Sequence, residues 1–330
     1  QSIVEAHSLG HKFGQQSGDF KCAFHNLLYS SCTDYFAGQS LDVVEKNLLD
    51  FLSKLRSHGV KIYNKNPVLF LSQIMVLKEG PYVPVVSHAY NMEPSEKEIL
   101  AGERPGSFFA MYGKLHHLAR AFLFRQMDDA ALNIDFSGAV AESCHQLNPH
   151  YLMGYFFEGL ASFQLARQAG PNELAKWIER GQSVLAMMRR WSEHSSWNWE
   201  NKVLLLEAER MFTNGEFDKA GAFYDSAIRS AHEHKFMHEE AIASELAGIF
   251  YYGRGLQQKS LLCFGHSVVC YNKWGAHAVA RRVETDIRGY FGTDIDQVVS
   301  SAGADSSLEY IYASSQGSKK KRQQGEGDGT

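Results

Sequence analysis

The stretches GEFDKAGAFYDSA (215–227) and GLQQKSLLCFGHS (255–267) repeat one order of small and large residues at a distance of 40 residues. The recurring positions are Gly215, Ala220, Tyr224 and Ala227 in the first stretch and Gly255, Ser260, Phe264 and Ser267 in the second. Self-similarity at an interval of roughly 20 to 50 residues is typical of proteins built from stacked repeats. We therefore predict an array of repeated units.

The spacing within a unit predicts a helical hairpin. Ala220, Tyr224 and Ala227 share one face of a helix, because residues three and four apart are neighbours on a helical surface. A second apolar face precedes them in 204–212, and Asn214-Gly215 between the two is a helix stop signal. The unit is similar to the tetratricopeptide (TPR) pattern A-x3-F-x2-A, although the usual Trp is missing. The predicted fold class is an all-α, right-handed α-solenoid of TPR-like helical hairpins.

Turn signals recur along the chain at comparable intervals. We predict breaks between helices at Gly38, Arg125, Gly170, Gly215 and Gly255. The last three intervals are 45, 45 and 40 residues, which gives a period of 40–45 residues. The first interval of 87 residues is close to two units. One irregular hairpin is thus expected between residues 60 and 105, where several prolines would interrupt continuous helices.

This pattern divides the chain into five predicted segments. Both ends are polar, and the C-terminal end is rich in Ser, Gly, Gln and charge, so it cannot bury enough apolar surface to fold. The basic run 319–322 is interpreted as part of a solvated tail rather than as a nuclear signal. The segments are a frayed N-terminal segment (1–18), the first helical hairpins (19–80), a Pro-rich irregular connection (81–106), TPR-like hairpins with a capping helix (107–290) and a disordered tail (291–330).

Composition favours a cytoplasmic protein with protein partners. The chain has 33 basic and 37 acidic residues, a net charge of −4, which does not predict a nucleic-acid surface. Its five cysteines are odd in number and lack C-x-x-C spacing, as is usual in a reducing compartment. No apolar run approaches the roughly 20 residues that span a bilayer, so no membrane contact is predicted. Because the chain begins with Gln1 and has no signal-like segment, we interpret it as a cytoplasmic segment of a larger polypeptide.

Catalytic motifs are missing from the sequence. It has no G-x4-G-K-[ST] loop, and Gly113-Lys114 lacks both the upstream glycine and the following hydroxyl residue that phosphate binding requires. It also has no G-x-S-x-G, no H-E-x-x-H and no G-x-G-x-x-G. We therefore predict no catalytic residue, no cofactor and no metal site, and we do not expect this segment to be an enzyme.

One stretch offers an alternative with a metal ion. AHEHKFMHEEA contains His232, His234 and His238, and two histidines four residues apart on a helix can share a zinc ion. However, Lys235-Phe236 is predicted to be a turn, which would separate them.

Cys263 and Cys270 lie on one helical face and are interpreted as small buried residues. The tryptophans Trp191, Trp197 and Trp199 are interpreted as core packing, with a small-molecule pocket as the alternative.

Three further patterns resemble a known family of regions. They are the G-x-[FY]-x2-A-x3-Y-x2-A helix, the turn H-x-F-x-H-E-E-A (234–241) and Y-x-x-W-G-A (271–276). Together they resemble the TPR-like helical-repeat region of large multi-sensor signalling proteins with an AAA/STAND-type ATPase, and the likeness covers most of 19–290. In that family a serine/threonine-kinase-like domain and the ATPase precede the region, and GAF and histidine-kinase modules often follow it. The resemblance transfers no catalytic residue to this sequence.

The resemblance implies a regulatory scaffold. We expect a non-catalytic array that mediates protein–protein interaction and regulates a neighbouring ATPase or kinase module in signal transduction. By analogy with TPR grooves, the predicted partner-binding surface comprises Lys202, Glu209, Glu245 and Tyr252. If Lys202 is exposed, Lys202→Ala leaves the fold intact. The alternative function is an all-helical metal-dependent enzyme, which requires His232, His234 and His238 to converge.

Overall fold

A computed structural model describes residues 3–59, 65–81, 95–104, 106–136, 138 and 151–292. In these ranges the chain forms fourteen α-helices and no strand, which confirms the predicted all-α class. Helices pack mainly against the next helix along the chain, as expected for successive hairpins. Within the same ranges, none of the helices has both the length and the apolar character of a bilayer-spanning segment.

The chain divides into two compact units. Unit 1 comprises Gln1–Ala161 and Trp274–Val279, and unit 2 comprises Ser162–Lys273 and Ala280–Thr330. The helices that begin in unit 1, in chain order, are α1 (Ile3–Ser17), α2 (Phe20–Phe36), α3 (Leu41–Ser57), α4 (Lys65–Glu79), α5 (Glu96–Ala101), α6 (Phe108–Leu123), α7 (Met127–Asn133) and α8 (Leu152–Gln168).

Helix α4 is the most enclosed element of unit 1, since every residue of PVLFLSQIM (67–75) is buried, including the polar Ser72 and Gln73. Its Phe70 ring lies 4.8 Å from the ring of His116 on α6. Its Gln73 side chain donates a hydrogen bond of 3.1 Å to the hydroxyl of Tyr35 on α2. The core of unit 1 therefore forms around α4.

The N-terminal segment was expected to be frayed, and this expectation is wrong for the described residues. Helix α1 packs against α2. A Cβ at Gly14 would lie 2.7 Å from the backbone nitrogen of Ala23, so glycine here permits a close helix contact. The ring of His11 also bonds the carbonyl of Ala23 at 2.9 Å. The glycines and polar residues that suggested fraying are those that form the contact.

The Pro-rich connection also contains a helix. Ser95 starts α5 with a capping box, in which its side chain accepts from the Glu98 backbone and the Glu98 carboxylate bonds the Ser95 backbone. Arg120 of α6 then pairs with Glu96 at 2.6 Å. Residues 95–104 are therefore ordered on α6 rather than irregular. Residues 82–94 of this connection and the predicted tail from 293 onward, with its basic run 319–322, lie outside the described residues.

Unit 2 contains the repeat from which the fold was predicted. The predicted turns are confirmed, because Gly215 and Gly255 have φ of 77° and 71°, and Lys235 has φ of 63°. Gly38 and Arg125 have the same left-handed conformation in unit 1, and Gly170 precedes Pro171 at the start of a helix.

The helices that follow α8 are α9 (Pro171–His194), α10 (Ser196–Thr213), α11 (Phe217–Glu233), α12 (Met237–Gly253), α13 (Gln257–Trp274) and α14 (His277–Phe291).

The small residues of the repeat lie where helices approach each other closely. A Cβ at Gly248 of α12 would lie 2.9 Å from the ring of Phe264 on α13. In the preceding repeat of unit 2, Ala208 and Tyr224 occupy the corresponding positions, and both are fully buried. The repeat thus pairs a small residue on the first helix with an aromatic residue on the second.

Candidate functional site

The helix α12, which we call the central helix of unit 2, is buried along most of its length although it carries three buried carboxylates. These are Glu239, Glu240 and Glu245. A buried charge is costly unless a partner of opposite charge and hydrogen bonds compensate it. The partners of these three carboxylates therefore determine how unit 2 is held together.

Glu239 joins the central helix to α10. The ammonium group of Lys202 lies 2.7 Å from the Glu239 Oε2, and the Asn201 side-chain amide donates to the same oxygen. Lys202 also donates to the carbonyl of Asn198 at 2.7 Å. Burial lowers the pKa of Lys202, and the charge of Glu239 opposes that effect. The Lys202–Glu239 pair is thus a contact between helices that is almost completely shielded from solvent.

Glu245 joins the central helix to α13 and α14. Arg282 donates to Glu245 from two nitrogens, at 2.6 Å and 2.9 Å, and the hydroxyl of Tyr271 donates at 2.9 Å. Such a two-point guanidinium–carboxylate contact fixes the orientation of both side chains. Asp286 accepts from Arg282 at 2.9 Å on the same side.

Two further networks in unit 2 combine a carboxylate, a cation and a tyrosine. Glu209 of α10 accepts from Arg167 of α8 at 2.6 Å and from the hydroxyl of Tyr224 on α11. Burial and the charge of Glu209 raise the pKa of Tyr224 well above its ordinary value. In the second network, Asp225 of α11 bonds Tyr251 of α12 and Lys259 of α13, each at 2.8 Å.

The predicted partner-binding surface is therefore wrong for three of its four residues. The exposed fraction is 3% for Lys202 and 1% for both Glu209 and Glu245. Neighbouring helices cover the face that is open in a TPR groove, and the charges pair across the helix contacts. Tyr252 is partly exposed, and its ring lies 4.5 Å from that of Tyr290.

Glu240 lies in a different kind of cluster. Its Oε1 is 2.6 Å from the His266 Nε2 of α13 and 3.0 Å from the His232 Nδ1 of α11. The Cys270 Sγ, one turn beyond His266 on the same helix, is 3.4 Å from the same Nε2. Burial, together with the charge of Glu240, raises the pKa of the Cys270 thiol well above its ordinary value. One donor atom each from Glu240, His266 and Cys270 lies within 4.8 Å of the others.

The three histidines predicted for the metal enzyme do not converge. His232 contacts Glu240, His234 contacts Ser230 at 3.4 Å, and His238 lies 3.4 Å from Glu239. The turn at Lys235-Phe236 separates them, as the sequence suggested. In the described ranges, the group with metal-like spacing takes Glu240, His266 and Cys270 instead. The sequence signal for it was the pair H-x3-C in α13, which places both residues on one helical face.

The tryptophans separate into two environments. The Trp191 and Trp199 rings pack 5.3 Å apart, but Trp197 is 58% exposed and lies 4.4 Å from the ring of His234. Trp191 and Trp199 are half-buried rather than part of the core, and the prediction of core packing is wrong for Trp197, which also cannot line a closed pocket. Cys263 and Cys270 are both buried and free, as predicted.

Unit 1 has a surface cleft between α5, α6 and α7. Glu96 and Arg120 in it are paired with each other, and Arg120 lowers the pKa of Glu96 although burial acts in the opposite direction. Gly113 admits the side chain of Leu100, which joins α5 to α6. The cleft is lined by Glu96, Lys97, Leu100, Ala110, Gly113, Lys114, His117, Arg120 and Asn133.

Comparison with known proteins gave no match, since neither a protein-family model, nor a curated protein, nor a solved structure is significantly similar to the chain.

Proposed function

We propose that this chain is a non-catalytic, TPR-like scaffold that mediates protein–protein interaction and regulates a neighbouring ATPase or kinase module of a cytoplasmic signal-transduction protein. In this proposal its hairpins form a right-handed α-solenoid. The partner is a protein or another domain of the same polypeptide, and neither nucleic acid nor a membrane is involved.

The observation that carries the proposal is how unit 2 uses its buried charges. Glu209, Asp225, Glu239 and Glu245 each pair with a Lys or Arg on another helix, so the helices are fixed relative to one another. A rigid frame of this kind presents its exposed side chains to a partner with little loss of conformational freedom on binding. Repeat proteins use such frames for recognition.

The exposed residue best suited to partner contact is Trp197. Tryptophan is among the residues most enriched at energetically important interface positions. Its ring rests on His234, which restricts its orientation while leaving more than half of its surface open. We therefore move the proposed partner contact from Lys202, Glu209 and Glu245 to Trp197 and His234.

Direct binding tests this proposal. The purified chain is titrated against separately purified ATPase and kinase modules from the longest polypeptide that contains it, and affinity is measured by calorimetry. We expect saturable binding that Trp197→Ala weakens about tenfold or more, as expected for an interface tryptophan. Leu174→Ala, which shortens another exposed apolar side chain of unit 2, serves as the control. Absence of binding, or equal affinities for both variants, contradicts the proposal.

A further inference from the structure

The carboxylate of Glu240 differs from the other buried carboxylates of unit 2. In the described part of that unit, Glu207, Glu209, Asp225, Glu239 and Glu245 each lie within 4.0 Å of a Lys or Arg nitrogen. The partners of Glu240 are imidazoles and a thiol. Burying a carboxylate without a permanent cation is unfavourable. This position therefore lacks the permanent positive charge that its counterparts have.

The His266 Nε2 has two neighbours in the cluster but can donate a hydrogen bond to only one of them, and the Cys270 thiol adds a single weak donor. The two neighbours are the Glu240 Oε1 and the Cys270 Sγ, and the nitrogen between them carries at most one hydrogen. A cation between the three atoms would accept an electron pair from each and would supply the missing charge.

The donor set identifies the class of cation. Imidazole nitrogen, thiolate sulfur and carboxylate oxygen are the ligands that Zn²⁺ takes, usually in a tetrahedral arrangement with bonds of about 2.0 to 2.3 Å. Donor atoms around such an ion are roughly 3.3 to 3.7 Å apart. The Sγ–Nε2 separation of 3.4 Å already fits, and the Nε2–Oε1 separation must widen from 2.6 Å. The side chain of His232 is 49% solvent-exposed, so an ion can reach the cluster from solvent on this side.

We propose that Glu240, His266 and Cys270 bind a Zn²⁺ ion, and that the half-exposed His232, which contacts Glu240 but lies outside this group of three, turns toward the ion as the fourth ligand. The ion joins α11, α12 and α13 and so connects two successive hairpins. Binding releases the proton of the Cys270 thiol, because the thiolate is the ligand. This inference is independent of the proposed scaffold function, since a structural zinc ion requires neither a partner nor turnover.

Cobalt substitution gives a direct test. The whole chain is stripped with a chelator and titrated with Co²⁺, whose thiolate charge-transfer band and visible bands report sulfur ligation and tetrahedral geometry. Cys22→Ser is present in every variant, because Cys22 is an exposed thiol. We expect one Co²⁺ per chain with both sets of bands, and displacement of Co²⁺ by one equivalent of Zn²⁺. Failure to bind either ion would show a direct His266–Glu240 hydrogen bond only and would overturn the proposal.

Matched variants assign the ligands. Cys270→Ser should abolish the charge-transfer band, whereas Cys263→Ser, a buried cysteine of the same helix outside the cluster, should retain it. Glu240→Gln keeps the shape of the side chain and should weaken binding at least tenfold, which also tests the site if the cysteine variant fails to fold. His232→Gln should weaken binding but keep the sulfur band. A charge-transfer band that survives Cys270→Ser contradicts the assignment.

Discussion

Arg282 of α14 donates two hydrogen bonds to the carboxylate of Glu245, one from each terminal guanidinium nitrogen. Both side chains are largely or fully shielded from solvent. The contact explains why a residue that the TPR analogy placed on an open face is buried instead. Similar pairs recur at Glu209, Asp225 and Glu239 across other helix contacts of unit 2.

Removal of one partner from this pair should destabilise unit 2 strongly. Glu245→Ala leaves the Arg282 charge without its main partner, and we expect a loss of about 3 to 5 kcal/mol in the free energy of unfolding. The double variant Glu245→Leu with Arg282→Met removes both charges and should be considerably more stable than Glu245→Ala. Urea denaturation followed by circular dichroism measures both. A double variant no more stable than the single one contradicts the role of the unpaired charge.

Lys202→Ala should also destabilise the fold, contrary to the expectation from sequence. The substitution leaves the Glu239 carboxylate buried without its cation, and we expect a loss of a few kcal/mol. Lys273→Ala, an exposed lysine of α13, is the control and should leave the unfolding midpoint unchanged. Equal midpoints for the two variants would show that the Lys202–Glu239 pair does not contribute to stability.

Two glycines of the central helix should respond in opposite directions. Gly248→Ala places a methyl group against the buried Phe264 ring, and overpacking of this kind costs about 1 to 3 kcal/mol. Gly253→Ala meets no atom within 4 Å, so the higher helix propensity of alanine should stabilise the protein by up to about 1 kcal/mol. Melting temperatures distinguish the cases, and destabilisation of both variants to the same extent would contradict the packing argument.

The buried histidine of unit 1 should make stability depend on pH. Burial, assisted by Arg120 and opposed by Glu96, lowers the pKa of His116 to about 3. An unfolded chain protonates this ring near pH 6.5, so its contribution to stability is complete above about pH 6.5 and is lost as pH falls toward 3. Relative to His116→Phe, the wild type should lose about 2 kcal/mol between about pH 7.5 and about pH 5.

The measurement is urea unfolding of both proteins at the two pH values, with His194→Phe as a control at an exposed position. His194→Phe should follow the wild type at both values. If His116→Phe and the wild type lose stability in parallel, His116 is not the titrating group.

The sequence was sufficient for the helices and turns of the repeat in unit 2, although not for α1 and α5 of unit 1. The apolar spacing of Ala220, Tyr224 and Ala227 is a local property of the chain, and all three residues are fully buried as that spacing requires. Glycine at 215 and 255 likewise reports a left-handed turn that few other residues adopt without strain. Such signals do not depend on distant parts of the chain.

The exposure of charged side chains could not be predicted in the same way. Glu245 is buried because Arg282 and Tyr271 lie opposite it, and their positions depend on how three helices pack. The Glu240 cluster likewise depends on a contact between Glu240 and His266, which are 26 positions apart in the chain. The residues that flank a helical carboxylate in the sequence are of the same kinds whether its partner is water or a cation on another helix.

We propose that the chain is a scaffold that regulates a neighbouring enzymatic module. The most direct test is nucleotide hydrolysis by the longest polypeptide that contains the chain, compared between the wild type, Trp197→Ala and Leu174→Ala. The scaffold account predicts that Trp197→Ala changes the hydrolysis rate severalfold while Leu174→Ala does not, with circular dichroism unchanged in both. A polypeptide that hydrolyses nucleotide at the same rate in all three forms contradicts it.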